Sequence, residues 1–174
     1  GEKVCIVISD VTRRWQSPET YLPILVAELE AAGIRDEDML IISATGTHRR
    51  QTPEEHVGLV TQAVYDRIRL VDHQCTEEEQ LAYVGTTTRG TPVYLDRRVL
   101  ACDKVILTGG VVYHFMAGFG GGRKSILPGI AGRETIMKNH NLALNPGLGN
   151  GSNPAVRSAN MNETNPVHAD MMEA

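Results

Sequence analysis

Along its first hundred or so residues the chain alternates short, β-branched apolar runs with longer stretches whose apolar residues recur at helical spacing. That alternation leaves few folds besides a parallel sheet covered by helices. Val4 to Ile8 is an unbroken apolar run of strand length. Ser17-Pro18-Glu19 then offers an N-cap, a proline at the first helical position and an early acid, and Tyr21, Leu22, Leu25, Val26 and Leu29 keep helical spacing up to Gly33. Met39 to Ile42 makes a second buried strand, and Thr52-Pro53-Glu54-Glu55 supplies a capping box for a helix predicted to reach about Tyr65. A third strand, Arg69 to Asp72, precedes a hairpin of Ala82 to Thr87 and Thr91 to Leu95, split by Arg89-Gly90 and read as an insertion. Val105 to Thr108 is the next strand, and it runs directly into glycine. The expected fold class is α/β: an open, mostly parallel, Rossmann-like sheet with helices on both faces, a small β-hairpin insertion and a Gly-rich loop.

The 174 residues suit one unit at about 150 residues per domain, so 1–174 is read as a single domain. Seventeen basic against 21 acidic residues give a net charge of −4 with no block of like charge, which argues against a surface that coats nucleic acid. Any anion must be held locally. Cys5, Cys75 and Cys102 are odd in number, far apart and without a Cys-x-x-Cys spacing, which fits a reducing compartment better than a disulfide framework or a zinc knuckle. No apolar run approaches the roughly 18 residues of a membrane span, and the start GEKVCIVIS carries no basic leader. A cytoplasmic protein with no membrane partner is expected. Gly1 opens almost directly on a strand and Asn165 to Ala174 reads as a helix cut short, so both ends suggest a fragment.

Eight of the seventeen glycines fall between Gly109 and Gly132, concentrating backbone freedom in one segment. Such a segment turns sharply and lets backbone N–H groups approach a ligand. Beyond it, Arg133 to about Asn139 reads as a short helix, and Asn145-Pro146, Asn153-Pro154 and Asn165-Pro166 mark repeated turns in a stretch read as loop over a site, or as cover for a missing neighbour.

Ligands of open α/β sheets collect beyond the carboxyl ends of the strands. Asp10 and Arg13 follow the first strand, His48 follows the second, and His114 and Lys124 follow the strand that ends near Thr108. Four segments thus aim polar groups at one edge. Gly118 to Ser125 invites a P-loop reading, but Arg123 stands where a P-loop needs glycine before its lysine. Arg123 and Lys124 place two cations beside backbone amides, suited to a nucleotide phosphate; the lysine equally suits covalent attachment. Of the six histidines, His56 reads as a surface or packing residue and His73 and His168 as structural. No pair has the helical i, i+4 spacing of a zinc protease, whereas His48 and His114 suit two acid/base groups.

Ser9-Asp10-Val11-Thr12-Arg13, Ala44-Thr45-Gly46-Thr47-His48-Arg49 and His114-Phe115-Met116-Ala117-Gly118-Phe119-Gly120-Gly121-Gly122-Arg123-Lys124 together closely resemble the nickel-dependent lactate racemase family. The resemblance runs in order from Val4 to at least His140. It implies racemisation or epimerisation of a small 2-hydroxy acid, lactate or a related substrate, by reversible hydride transfer. The implied cofactor is a nickel pincer, a pyridinium-3,5-bisthiocarboxylic acid mononucleotide joined through a thioamide to Lys124. Nickel would be held by the pincer's sulfur, carbon and sulfur atoms and by His140, so the protein needs only one imidazole, a nitrogen donor suited to nickel. His48 and His114 take the acid/base places, and Asp10, Arg13, Gly120, Gly121, Gly122 and Arg123 join Lys124 around the cofactor. Family members are longer, with a second domain closing over the cofactor, so the isolated chain is expected to have little activity. One departure is Arg14, where the family's first motif continues with proline; the added cation is expected to alter substrate preference. The alternative from another class is a non-catalytic nucleotide- or phosphate-binding module that uses the glycine loop without chemistry.

Overall fold

The computed structural model describes all residues except 146, 148–150 and 158–159. β1 (Val4–Ser9), α1 (Pro18–Ala31), β2 (Met39–Ala44), α2 (Pro53–Val60), α3 (Gln62–Tyr65) and β3 (Arg69–Asp72) come first. The hairpin β4 (Leu81–Thr86) and β5 (Pro92–Asp96), the short α4 (Arg97–Leu100) and β6 (Lys104–Leu107) follow. The remainder holds a two-residue pair, β7 (Tyr113–His114) and β8 (Gly118–Phe119), then α5 (Arg133–Asn141) and α6 (Pro166–Glu173). β3, β2, β1 and β6 lie side by side in that order, all parallel, with Ile6 opposite Ile41 and Ile106. The expected α/β sheet is present.

β1 is apolar from Val4 to Ile8 because both its faces are covered. Val4, Ile6 and Ile8 point into a layer with Leu22 and Val26 of α1 and Leu59 and Val60 of α2. Cys5 and Val7 point the other way, onto Val99 of α4 and Ile130. The second face is thus sealed by a single-turn helix and by the segment after the glycine loop, which brings that loop down to the sheet's carboxyl edge. No helix among the described residues is long and apolar enough to cross a membrane.

Four local expectations are revised. Ser17 sits at φ 52° and makes no side-chain cap, because it also closes a 3-10 turn over Val11–Gln16, its N–H donating to Arg14 O at 2.9 Å. The second helix breaks at Thr61 (φ 75°), which turns Val64 back onto the layer that Leu59 and Val60 already reach. α5 runs on to Asn141, which carries His140 into its last turn. The hairpin, finally, is no peripheral insertion: Val93 and Leu95 belong to a second core with Met116, Leu127, Ile136, Val167 and Met171, joining the glycine loop to α5 and α6. Thr135 of α5 accepts from Tyr94 N at 2.9 Å and donates to Pro92 O at 2.7 Å.

Asn153 and Asn165 do initiate turns. The Asn153 side chain caps a 3-10 turn over Pro154–Val156, and Asn165 caps α6 while its amide donates to Met116 O at 3.2 Å. The Asn145-Pro146 turn lies outside the described residues. His73 has the structural role expected: fully buried, it faces Asp96 at 3.0 Å and Ala131 O at 2.9 Å, tying the end of β3 to the hairpin and the loop.

Gly129 sets the closest approach in this region. A Cβ there would lie 2.2 Å from Ser125 O and 2.9 Å from Ala44 Cβ, at the seam between the lysine-bearing turn and β2. Gly129→Ala is therefore expected to cost about 1–3 kcal/mol by overpacking. The check is a lower urea midpoint at unchanged slope.

Candidate active site

A cavity of about 540 Å³ opens beyond the carboxyl ends of β1, β2 and β6, within the size range of small-molecule sites. Asp10 enters it directly from β1 and is nearly fully buried. One oxygen accepts from Thr12 N at 3.2 Å and Thr12 Oγ1 at 2.5 Å, which shapes the turn carrying Arg13; the other meets His48 Nδ1. His48 reaches that position because the segment after β2 turns back, His48 N donating to Thr45 O at 2.9 Å.

Beneath this pair lies a network that no motif announced. Gln51 accepts from Val11 N at 2.7 Å and donates its amide to Ser43 Oγ and Asp72 Oδ1, each at 2.7 Å. Asp72 in turn meets His56 Nε2 at 2.9 Å. Burial alone would raise the Asp72 carboxyl, but bonds from His56 and Gln51 hold it below the usual range. The ends of β1, β2 and β3 are thereby locked together under His48, and His56 packs inward rather than facing solvent. The one sequence signal was a carboxylate at the end of the third strand.

The glycine segment forms the opposite wall. Gly120 and Gly121 line the cavity, and Gly121 (φ 75°) lies where a Cβ would come 3.3 Å from Gly110 O. Lys124, in the 3-10 turn that follows, also lines it and has no carboxylate within ion-pair reach among the described residues. Burial, then Arg13 and Arg123, lower its pKa to about 8. Gly122 and Arg123 do not line the cavity. The Arg123 guanidinium turns back onto Ala117 O and braces the loop from behind.

His114, at the end of β7, accepts from Met116 N at 3.4 Å and Ala117 N at 3.3 Å and stacks on Phe115 with ring centroids 4.9 Å apart. Burial, then the positive field of Lys124, His140, Arg13 and Arg123, pushes it down to about 4. His140 faces the same cavity from α5, its Nδ1 buried without a hydrogen-bond partner. Burial and Lys124 lower its pKa as well. Its helix is anchored by the neighbouring Asn139, which donates to Asp170 Oδ2 at 2.9 Å and Val167 O at 3.2 Å. Arg13 lines the cavity without an ion-pair partner among the described residues. Arg14 does not line it; its guanidinium lies at Gly58 of α2.

Among the described residues no three His, Cys, Asp or Glu side chains cluster to hold a metal by themselves. Residues 1–151 match the family model for the lactate racemase N-terminal domain. The chain belongs to the lactate racemase family. It is 34% identical over 171 residues to the lactate racemase of Lactiplantibacillus plantarum, covering 98% of this chain and 38% of that protein. To the lactate racemase of Thermoanaerobacterium thermosaccharolyticum it is 33% identical over 175 residues, covering all of this chain and 39% of that one. The structure of the lactate racemase apoprotein from the same organism superposes with a TM-score of 0.85 at 32% identity, over 99% of this chain and 39% of that chain. A Thermotoga maritima protein of known structure shares the fold, with a TM-score of 0.74 at 24% identity over 98% of this chain and 41% of its own. The chain therefore spans about two-fifths of the length of the lactate racemases it matches, and the three segments carrying the resemblance all lie within the matched residues.

Proposed function

We infer that this domain is the cofactor-holding part of a racemase or epimerase of a small 2-hydroxy acid, lactate or a related substrate. The observation that carries the reading is the convergence on one cavity of a His48–Asp10 pair, a second histidine, Arg13 and a lysine with a depressed pKa. The residues fit a nickel-pincer mononucleotide. Lys124 supplies an amine that is partly free base near neutral pH, which covalent attachment requires. His140 supplies an imidazole at the cavity wall, the kind of nitrogen donor a single protein ligand to nickel must be. When bound, the pincer supplies the hydride acceptor, which matters because the Cα–H beside an ionised carboxylate is too weakly acidic for easy proton removal.

The chain's own residues then handle charge and protons. Arg13, with no carboxylate within ion-pair reach among the described residues, receives an anionic group of substrate or cofactor. His48 and His114 exchange the hydroxyl proton, one for each enantiomer, and Asp10 orients His48 and offsets the charge it gains. Gly120 and Gly121 keep that wall open to the cofactor, with Gly122 and Arg123 supporting the lysine-bearing turn. A second domain, of the kind that would account for the rest of the longer relatives, closes the site, so the 174-residue chain alone has little turnover. Arg13 and Lys124 beside a glycine loop also suit a phosphate bound without chemistry. Intact mass and nickel content of the chain, made in a host that synthesises the pincer, separate the two. A mononucleotide-sized increment on Lys124 with near-stoichiometric nickel, lost in His140→Ala, supports the racemase reading. An unmodified Lys124 in a chain that binds a mononucleotide reversibly supports the other.

A further inference from the structure

We propose that the two cavity histidines are unequal by construction, His48 presenting an unprotonated Nε2 to the cavity and His114 a protonated one. The argument is one of donors and acceptors. A carboxylate only accepts, so the ring nitrogen of His48 that meets Asp10 carries the proton of the neutral imidazole, and Nε2 keeps its lone pair. His114 has the opposite partners. Its Nδ1 faces two backbone N–H groups, of Met116 and Ala117, and an N–H only donates. Nδ1 therefore holds a lone pair, and the single ring proton sits on Nε2. A second proton on Nδ1 would point into both N–H groups. Burial opposes that proton first, and the charges of Lys124, Arg13 and Arg123 add to it; the pKa of about 4 agrees. Stacking on Phe115, 19° from coplanar, holds the ring plane in which those two bonds are made.

This deepens the racemase reading and, for its chemical consequence, rests on it. From the resting state only His48 can take the substrate's hydroxyl proton: the O–H bond breaks, its electrons stay on oxygen, and an N–H bond forms at Nε2, leaving an imidazolium next to Asp10. His114 begins instead as a hydrogen-bond donor to a substrate oxygen, polarising it as a neutral imidazole can. To serve as acid or base it must first give up both backbone bonds. The site thus has a primed side and an unprimed side. Because two enantiomers are isoenergetic, kcat/KM is equal in the two directions whatever the site does, so the test is spectroscopic.

Ring-nitrogen 15N–1H correlation spectra of the histidine-labelled chain at neutral pH read the tautomers directly, with His48→Gln and His114→Gln assigning the two sets of peaks. The expected result is an Nδ1–H form for His48 and an Nε2–H form for His114, with Asp10→Asn altering the His48 pattern and leaving that of His114 in place. The same tautomer in both rings, a doubly protonated ring at either position, or rapid averaging in either overturns the proposal. The tautomers are set without cofactor, so failure here is distinct from failure of Lys124 to become modified.

Discussion

At pH 7, Lys124 is expected to react with a small acylating reagent roughly two orders of magnitude faster than an ordinary exposed lysine. With a pKa lowered from 10.5 to about 8, the amine is roughly a tenth free base at neutral pH, against well under a thousandth for an unperturbed one. Burial is the main cause, and Arg13 and Arg123 add to it. Competitive labelling across pH, with the products located by mass spectrometry, should show a midpoint near 8 at this residue. A midpoint near 10.5 would contradict the electrostatics and remove the physical basis for attachment. The shift also has a sign for stability: the unfolded chain holds this proton more tightly, so stability rises as pH climbs from about 8 to 10.5. Lys124→Ala is expected to abolish the covalent increment outright. Lys124→Arg should do the same despite keeping the cation, because a guanidinium stays protonated and is not a nucleophile at neutral pH.

Asp96→Ala is expected to destabilise the fold by about 3–5 kcal/mol, the cost of removing one partner from a buried charge network. The Asp96 side chain is fully buried and accepts from His73 Nδ1 at 3.0 Å, Arg98 Nε at 2.9 Å and Arg98 Nη2 at 2.6 Å. Burial would raise its pKa, yet the bonds from Arg98 and His73 outweigh it and hold the carboxyl at about 2. A depressed carboxylate stabilises above its unfolded pKa, so this contribution is complete above about pH 4 and fades as pH falls toward 2. Urea unfolding at neutral and acid pH checks both statements: the difference between wild type and Asp96→Ala should shrink on acidification. A neutral-pH difference below about 1 kcal/mol would mean that the network only positions its members. The loss should also reach the cavity, since Asp96 N donates to Ile130 O at 3.0 Å and His73 holds Ala131 O, both in the segment that follows Lys124.

Elements that bury a face of their own were legible from local pattern. β1, β2 and the helices beginning at Pro18 and Pro53 announce themselves through apolar spacing and caps, and the parallel sheet follows from their alternation. The hairpin was legible as a hairpin but not as a scaffold, because its value lies in contacts with Ile136, Val167 and Met171, far along the chain. The carboxyl-edge rule placed Asp10, Arg13, His48, His114 and Lys124 near one another, and the cavity they line follows it. It could not distinguish Lys124 from its neighbour Arg123, since a two-residue motif does not say which side chain turns inward and which braces Ala117 O. Gln51 and Asp72 escaped because no chemistry marks them; their role is to join three strand ends.

The sequence by itself determined the fold class and the family and put forward a set of candidate residues, because periodicity, capping and motif order are local properties of the chain. Only the tertiary structure decided what those residues can do. The lowered pKa of Lys124 needs burial and two arginines, one of them more than a hundred residues earlier in the chain. The opposite protonation of His48 and His114 needs a carboxylate from the end of another strand for one ring and two backbone N–H groups for the other. A side chain's chemistry is fixed by its partners and its exposure to water, and folding is what supplies both.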